Sequence, residues 1–473
     1  MRLLPHAMDG HLSGCNWFAR LIADVALGVL AAAVCVAAVM AQDKALRQLV
    51  DAGQQLQAEG RYVEAESLLQ SALNQAKASS EPLAIARTMN YLGVVKHTRG
   101  DYSAAGALYR SATEIFERIP APLDLAAVLL NQARLAGAEG KFDQAEALCK
   151  KTLDIYRARL GPDHSNVADT LDVLGWIEMR LGHYPDAEST YLQSVTIRRK
   201  TEPPEELAAS GTLNDLGFLQ YSLGRYAQAE ETYRRALTIR QNVLGSGHPD
   251  VADTMVRLAD LYRATHQFSK AERLLEKAML ILKEALGPEH TRVANASNNL
   301  GVLYCDERRL DDAAPLFRRA LDIYQNALGR DHFQVAAVLS NLALVQTEKR
   351  AYQDAKDLYS RALAIMEKSG GPDHPDIAAV VNNLGQINSF EGRYEDAEKL
   401  YLRAIGIWER SLGPAHPDVA GCLFNYAATL RKVHRKKEAA QLEARARQSL
   451  ALHDRENPAG SLVDWRELQR RAK

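Results

Sequence analysis

The chain has 473 residues and an even charge balance, with 58 Lys plus Arg against 59 Asp plus Glu. This balance argues against the strongly basic surface by which proteins bind nucleic acid. Length alone would suggest about three domains of roughly 150 residues each, but the pattern along the chain indicates a different organisation.

The first feature along the chain is an apolar N-terminal segment. Residues 25–41 form a run of 17 uncharged, mostly apolar residues, and Val39 and Ala41 stand at the −3 and −1 positions of a cleavage site before Gln42. This pattern predicts a secretory signal peptide over residues 1–41, and therefore a periplasmic or secreted protein. The alternative is an uncleaved inner-membrane anchor, for which 17 residues are at the short limit of a span.

Ten copies of a short turn sequence follow the apolar segment. The first copy, GRYVEAE, begins at Gly60, and the others begin at Gly100, Gly140, Gly182, Gly224, His266, Arg308, Arg350, Gly392 and His434. Each copy holds an alanine at the same place, from Ala65 to Ala439, with two intervals of 40 residues and then seven of 42. A constant period of this length indicates a repeat protein, and we number its repeats 1 to 10 over residues 44–453.

Each repeat carries two apolar stripes at helical spacing. After Ala397 in repeat 9, apolar residues lie at offsets of 3, 4, 7 and 8, namely Leu400, Tyr401, Ala404 and Ile405. Such offsets place the residues on one face of a helix. The upstream residues 377–391 have the same period, and Gly392 separates the two segments where a left-handed residue ends a helix at little steric cost. The sequence predicts an all-α protein in which each repeat is an antiparallel hairpin of helix A and helix B.

The small residues of this pattern resemble those of the tetratricopeptide repeat. Leu384-Gly385 lies in helix A, and Ala397 and Ala404 lie in helix B with the large Tyr401 between them. The 42-residue unit and its HPDVA start resemble the kinesin-light-chain-like subtype, which bacterial proteins also carry. The resemblance covers roughly residues 44–453. It implies a right-handed superhelical solenoid of about ten hairpins, with helix A lining a concave groove.

A histidine precedes helix A in six repeats, at His164, His248, His290, His332, His374 and His416. Packed helices lie roughly 8–10 Å apart, so histidines of successive repeats cannot share a metal ion whose ligands lie at about 2.0–2.3 Å. No Ser or Cys in constant register could form a nucleophile pair with them. We interpret the loop as a helix start, capped by Asp373 or His374 with Pro375 in the first turn. We expect no metal, no cofactor and no catalytic residue.

The cysteines are too dispersed for a disulfide framework. Signal cleavage would leave Cys149, Cys305 and Cys422, in repeats 3, 7 and 10. A disulfide needs two Cα atoms within about 7 Å of each other, which repeats so far apart in the array cannot provide. The sequence therefore predicts free thiols.

Asparagine recurs at one position of helix A, the position that in repeats 7 and 9 directly precedes the Leu of the Leu-Gly pair. The residues are Asn131, Asn299, Asn341, Asn383 and Asn425. In kinesin-light-chain-like arrays this position faces the groove and holds the main chain of an extended peptide, so the resemblance implies that role here. A primary amide both donates and accepts, and therefore suits a peptide unit. The alternative is that these side chains only solvate the face or bond the neighbouring repeat.

Other candidate groove residues differ between repeats. They are Asp169, Asp172 and Trp176 in repeat 4, Asp215, Phe218 and Tyr221 in repeat 5, and Arg257 and Arg263 in repeat 6. An acidic, aromatic half followed by an asparagine-rich, basic half favours a peptide of mixed charge. Aromatic residues at this spacing are also common in helix cores, which is the alternative reading.

The chain after the last repeat predicts one further element. In residues 454–473, the segment from Ser461 to Asp464 has the pattern of a capping box. Leu462, Trp465 and Leu468 follow on one side. This predicts a short C-terminal helix that caps the last repeat.

These features favour a non-enzymatic scaffold or adaptor that binds a protein or an extended peptide in its concave groove. Nucleic acid and small-molecule substrates are not expected partners, and a membrane is expected only through an uncleaved N-terminal segment. Two rival functions remain open. One is a structural spacer that assembles with itself, and the other is a regulatory subunit of an enzyme encoded elsewhere.

Overall fold

The computed structural model describes residues 44–201 and 205–456. The predicted signal peptide at residues 1–41 lies outside the described residues, as do residues 457–473 of the predicted C-terminal capping helix. No helix among the described residues is long and apolar enough to cross a membrane.

Twenty α-helices and no strand are present in the described ranges. Helix α1 spans residues 44–58. The others are α2 Tyr62–Ser79, α3 Pro82–Thr98, α4 Tyr102–Phe116, α5 Pro122–Ala138, α6 Phe142–Leu160, α7 Ser165–Arg180, α8 Tyr184–Lys200, α9 Glu206–Ser222, α10 Tyr226–Leu244, α11 Pro249–Ala264, α12 Phe268–Leu286, α13 Thr291–Asp306, α14 Leu310–Leu328, α15 Phe333–Glu348, α16 Tyr352–Gly370, α17 Pro375–Phe390, α18 Tyr394–Leu412, α19 Pro417–Lys432 and α20 Lys436–Glu456.

The helices pack as ten successive hairpins, which confirms the predicted all-α solenoid. Each odd-numbered helix, the helix A of its repeat, packs against the following even-numbered helix B, which in turn packs against the next helix A. Most successive A helices also touch each other, whereas no two successive B helices in the described ranges make a comparable contact. Because the A helices lie closer together, they form the inner, concave side of the array.

The Leu-Gly pair of helix A exists because an aromatic ring of helix B lies directly over the glycine. A Cβ atom on Gly385 would lie 2.9 Å from the Tyr401 ring, and one on Gly217 would lie 2.7 Å from the Tyr233 ring. Real Cβ atoms do not approach other atoms so closely, and protein interiors are packed too densely to yield easily. This interlock sets the distance between the two helices of a hairpin.

The turn between helix A and helix B always uses a left-handed residue. Gly60, Gly100 and the other glycines at this position have φ between +70° and +79°. Four repeats place a non-glycine residue there, namely His266, Arg308, Arg350 and His434, and these adopt φ from +56° to +63°. The repeat geometry therefore overrides the steric preference of these four residues.

The six loop histidines cap the helices that follow them. Each Nδ1 accepts a hydrogen bond from the backbone N–H two residues later, for example from Asn166 to His164 at 3.1 Å and from Asp376 to His374 at 3.2 Å. The interpretation as a helix start is thus confirmed. In repeat 9 the sequence left Asp373 and His374 as candidates for the cap. The His374 imidazole caps the helix, whereas Asp373 forms an ion pair with Arg410 at 2.6 Å.

The array winds until repeats six apart come into contact. Helix α14 of repeat 7 touches α2 of repeat 1, and Tyr62 of repeat 1 packs against the apolar core of the later repeats. Leu412 of repeat 9 packs against the core of repeats 3 and 4. The ring of His453 in repeat 10 meets that of Tyr184 in repeat 4 edge-on at 5.8 Å. Successive turns of the superhelix are therefore stacked.

The predicted free thiols are confirmed. Cys149 and Cys422 are buried and Cys305 is partly buried, each as a free cysteine. Burial raises the pKa of the Cys149 thiol to about 12 and that of Cys305 to about 11, so both stay protonated and unreactive at neutral pH.

Candidate functional site

The candidate site is the concave face of the A helices, which we call the groove face. On each A helix it consists of side chains spaced four and three residues apart, such as Asp253, Arg257 and Asp260 on α11. This spacing keeps them on one side of a helix. Since each A helix contributes the same positions, the groove face continues from one repeat to the next.

The five asparagines, which we call the asparagine ladder, lie partly buried along this face. Three donate an amide hydrogen to an asparagine of the preceding repeat, namely Asn131 to Asn90 at 2.9 Å, Asn341 to Asn298 at 2.8 Å and Asn425 to Asn382 at 3.1 Å. For these three asparagines, the alternative interpretation that the side chain bonds the neighbouring repeat is therefore correct for the amide group. Among the described residues, the side-chain Oδ1 atoms of Asn341 and Asn425 have no donor and stay available.

The other two ladder residues bond locally. Asn299 donates to the Oδ1 of Asn295, one turn earlier on the same helix, at 2.6 Å. Asn383 donates to the Tyr359 hydroxyl at 3.3 Å and accepts from Asn382 at 3.3 Å. The ladder thus offers acceptor oxygens to a ligand more readily than amide donors.

The acidic residues of repeat 4 belong to an internal network around Arg198. This arginine, on helix B, is only 4% exposed and reaches Asp169 and Asp172 at 2.7 Å each. Asp172 also accepts from the Ser194 and Thr212 hydroxyls. Desolvation raises the pKa of Asp172, although Arg198 opposes the shift. The sequence pattern gave no sign of Arg198, because it indicated groove residues on helix A alone.

A cavity of about 530 Å³ opens in the groove face between repeats 5 and 7. We call it the charged cavity. Its lining is almost wholly polar, consisting of Gly211, Asn214, Asp215, Arg240, Asp253, Val256, Arg257, Asp260, Arg292, Asn295 and Asn299. Three carboxylates and three guanidinium groups therefore share one recess. The sequence could have indicated Asp253 and Asn295, because each stands one helical turn before a predicted groove residue.

Burial in this recess disfavours the ionised carboxylates. Desolvation raises the pKa of Asp215 to about 6, and it also raises the pKa of Asp253 and of Asp260. Asp253 lies 3.4 Å from Arg292 and Asp260 lies 3.8 Å from Arg263. Asp215 has no hydrogen bond or ion pair with any described residue. It is the carboxylate of the cavity with the most to gain from an incoming cation or N–H donor.

The arginines of the charged cavity are engaged to different degrees. Arg240 donates to Ser210, to Thr254 and to the carbonyl oxygen of Asp250. Arg292 pairs with Asp250 at 2.8 Å. Arg257 lies over the Phe218 ring at 5.2 Å and is exposed, so it is the guanidinium that can turn towards a ligand.

The predicted aromatic residues divide between groove and core. Trp176 is 37% exposed and lines a second recess of about 420 Å³ that it shares with Asp215. The rings of Phe218 and Tyr221 are stacked, with their centroids 6.2 Å apart. The Tyr221 ring also contacts the ring of Tyr226 of helix B. Trp176 therefore faces the groove, whereas Tyr221 belongs mainly to the core, as the alternative reading allowed.

Arg263 reaches from repeat 6 to repeat 7. Its guanidinium pairs with Asp306 at 2.6 Å. The contact joins neighbouring A helices at the edge of the groove, so this predicted groove residue is committed to a partner within the chain.

The later repeats add a recess of mixed polarity, with exposed apolar side chains that the sequence pattern did not indicate. A recess of about 1030 Å³ is lined by Leu344, Phe390, Asn382 and Asn425, among others. Phe390 is 53% exposed, and the Lys432 ammonium lies 5.0 Å from its ring centroid. Burial lowers the pKa of Lys432. Leu344 and Phe390 follow ladder residues at helical spacing, which is the signal that could have identified them.

No group of three or more His, Cys, Asp or Glu side chains in the described ranges is arranged to hold a metal ion.

A sequence model of the tetratricopeptide repeat family matches the chain seven times. The matched ranges are residues 46–118, 124–200, 208–284, 258–326, 292–368, 334–406 and 376–450. Together they cover nearly the whole array. No curated protein matches the sequence.

Solved structures of helical repeat proteins resemble this one. A Rap protein complexed with competence and sporulation factor matches with a TM-score of 0.51 at 12% identity, over 87% of this chain and 99% of its own. BtubC (BKLC) from P. vanneervenii matches with a TM-score of 0.40 at 23% identity, over 49% of this chain and 92% of its own. A putative kinesin light chain with nearly identical TPR-like repeats from Podospora anserina matches with a TM-score of 0.37 at 23% identity, over 44% of this chain and 99% of its own. At 12% identity the first likeness shows a common fold alone.

Proposed function

The chain belongs to the tetratricopeptide repeat family, and we propose that its groove face binds an extended peptide segment of a partner protein. Proteins of this family generally act as non-catalytic scaffolds for protein interactions. The observation that carries the proposal is the continuity of polar side chains with unused bonding capacity along the A helices. Asp215 has no hydrogen bond or ion pair with any described residue, and Asn341 and Asn425 present side-chain Oδ1 atoms without a donor.

The spacing of the ladder suits an extended chain. Packed helices lie roughly 8–10 Å apart, and an extended peptide advances about 3.3 Å per residue. One repeat therefore corresponds to about three peptide residues. Peptide N–H groups facing the groove could donate to Asn341 and Asn425 in turn.

The charges and apolar surface of the groove predict the composition of the ligand. Asp215 beside the exposed Trp176 suits a lysine or arginine, because a carboxylate and an aromatic face both attract a cation. Arg257 suits an acidic side chain, and Phe390 in the later repeats suits an apolar one. We therefore propose a ligand of mixed charge with an apolar residue near the end that contacts repeats 8 to 10.

The test begins by selecting ligands from a displayed library of random peptides of roughly 20 residues, a length that spans about seven repeats and therefore the groove from repeat 4 to repeat 10. Fluorescence anisotropy of a selected peptide then compares the wild type with an Asn341→Ala/Asn425→Ala variant. One neutral hydrogen bond contributes a net 0.5–1.5 kcal/mol. If the two losses add, we expect the peptide to bind roughly 5- to 150-fold more weakly.

The matched control is Asn242→Ala/Asn326→Ala. Both of these asparagines are exposed on B helices, α10 and α14. Replacing them is expected to leave the affinity for the peptide unchanged. Circular dichroism and the melting temperature check that each variant stays folded. Equal affinity of a folded ladder variant and the wild type would place recognition elsewhere. Failure to select any peptide, together with self-association, would favour the rival structural spacer.

We also propose that the array acts after export, on the strength of the apolar segment at residues 25–41. The partner would then be a periplasmic or secreted protein, or the array would be held at the inner membrane if the segment is not cleaved.

A further inference from the structure

Three of the capping histidines also contact a repeat one superhelical turn earlier. His290 lies against Gly60, His332 against Gly100 and His374 against Gly140, where a Cβ atom on the glycine would be 2.9, 3.0 and 3.2 Å from the respective ring. Each histidine belongs to a repeat six after that of its glycine. His164 and His248 cap their helices in the same way but lie in repeats 4 and 6, and no described contact joins their rings to an earlier turn.

Two of these contacts are hydrogen bonds between the turns. The Nε2 of His332 lies 2.8 Å from the carbonyl oxygen of Thr98, and that of His374 lies 3.1 Å from that of Ala138. Thr98 and Ala138 are the last residues of α3 and α5, where helical carbonyls have no partner within the helix. Both imidazole rings are buried.

The two bonds of each ring require one protonation state. Nδ1 accepts the capping N–H, from Gln334 to His332 at 3.1 Å and from Asp376 to His374 at 3.2 Å. Nε2 must therefore carry the hydrogen that is donated to the carbonyl oxygen, and the ring is neutral. A proton added at Nδ1 would face the capping N–H, so the ring would have to turn away. Turning the ring breaks the bond to the earlier repeat.

The charged groups around the two rings come from both turns. The gap that His332 lines holds Arg99, Asp101, Arg110, Glu139 and Lys141 of the earlier turn and Arg330, Asp331 and Lys368 of its own. Of the charged groups, Arg99 acts on His332 directly, and the imidazole of His97 also interacts with it. Around His374 the charged groups are Arg180 of the earlier turn and Asp376 of its own helix, with Glu139 adjacent in sequence to the accepting Ala138. The positive charge of Arg99 disfavours protonation of His332, whereas the negative charge of Asp376 favours protonation of His374.

We propose that His332 and His374 form an acid-sensitive latch that holds successive turns of the superhelix together. Burial, the largest cause, lowers the pKa of each ring below its ordinary value of about 6.5. In the open form, the solvated rings would titrate near that ordinary value. The latch is therefore at full strength above about pH 6.5 and weakens as the pH falls below it, because the open form takes up protons first.

Opening the latch would separate the edges of two turns. A gap of about 1210 Å³ already lies beside His332, lined by residues of both turns. Releasing the two hydrogen bonds would widen this gap and expose the groove face from the side. Control of ligand access by pH rests on the proposed function, but the latch itself is a property of the unliganded chain.

The test measures the shape of the full unliganded protein by small-angle X-ray scattering at about pH 7.5 and about pH 5. The variant is His332→Asn/His374→Asn, because asparagine keeps a capping oxygen near the position of Nδ1 but is too short to reach the carbonyl. The matched control is His164→Asn/His248→Asn, which changes the same cap where no latch exists. Losing two hydrogen bonds is expected to raise the ratio of open to closed form roughly 5- to 150-fold.

We expect the wild type and the control to have a larger radius of gyration at the lower pH, and the latch variant to be expanded already at neutral pH with unchanged helical circular dichroism. Equal scattering of the wild type at both pH values would overturn the proposal, as would a latch variant that scatters like the wild type at neutral pH. Because no ligand is used, either result is independent of whether the groove binds a peptide.

Discussion

At the scale of single residues, the groove face differs from an ordinary solvated surface in its partly buried, desolvated carboxylates. Asp215 lies between the charged cavity and the recess of Trp176, and neither Arg257 nor Arg240 forms a hydrogen bond with it. Their charges lower the pKa of Asp215, but desolvation outweighs them. A carboxylate kept in this state costs stability, which is consistent with a position shaped for a ligand.

A first prediction follows from the pKa of Asp215, which burial raises to about 6. Because the folded-state pKa lies above the unfolded value, the carboxyl contributes most to stability at low pH, and this contribution is lost as the pH rises from about 4 to about 6. Asp215→Asn should therefore stabilise the protein by about 1–2 kcal/mol at about pH 7.5, after allowing for residual solvent contact. The gain should vanish near pH 4.

Urea unfolding midpoints followed by circular dichroism measure this effect. Asp322→Asn, at an exposed position of α14, is the control and should leave the midpoint nearly unchanged. A destabilised Asp215→Asn variant at neutral pH would show that the arginines hold this carboxylate more strongly than burial disfavours it.

At the scale of elements, the hairpin depends on the contact between a glycine of helix A and a ring of helix B. Tyr401 is almost completely buried and covers Gly385. The same pairing of a helix A glycine with a helix B ring recurs in repeats 2, 4, 5 and 7. The glycine at this position is therefore a packing requirement of the hairpin. The groove face lies on the other side of helix A, which leaves its side chains free to vary from repeat to repeat.

A second prediction compares two glycines inside A helices. Gly385→Ala would place a Cβ atom 2.9 Å from the Tyr401 ring and should destabilise the protein by about 1–3 kcal/mol through overpacking. Gly211→Ala meets no atom closer than 3.9 Å, so it should stabilise the protein by up to about 1 kcal/mol through higher helix propensity. Differential scanning calorimetry should thus give melting temperatures that move in opposite directions. Equal shifts would show that helix B yields to the added methyl group.

At the scale of the whole molecule, successive turns of the superhelix stack on each other, and this stacking makes a linear array of repeats compact. Repeat proteins are ordinarily stabilised by contacts between neighbouring repeats alone. Here, the ion pair of Arg180 with Asp376 at 3.3 Å joins repeats 4 and 9, and the histidine bonds join repeats 2 and 3 to repeats 8 and 9. Such contacts couple distant repeats, so unfolding should be more cooperative than in an open solenoid.

A third prediction concerns the mature chain. If the segment at residues 25–41 is a signal peptide, cleavage after Ala41 leaves an N-terminus at Gln42, two residues before α1 begins. N-terminal sequencing of protein from a membrane-free extract should return this residue. An intact Met1 or Met8 on the exported protein would instead support the uncleaved anchor.

The sequence by itself determined the all-α class, the ten hairpins and the family, because the 42-residue period, the helical offsets and the small residues at helix crossings are local properties of the chain. The free thiols and the capping role of His374 were also predictable for this reason. Within the groove, the sequence located the asparagine ladder, but the role of the ladder as a peptide-binding surface stays a prediction.

Only the tertiary structure decided which groove residues are committed to partners in the chain. Arg198 reaches Asp169 and Asp172 from helix B, and Asn341 donates to Asn298, because neighbouring repeats are offset by an amount that no periodicity reveals. The pitch of the superhelix is hidden for the same reason, since it accumulates from a small rotation at each repeat interface. The sequence therefore shows His332 as the start of a helix, and only the folded array places its Nε2 against the carbonyl oxygen of Thr98.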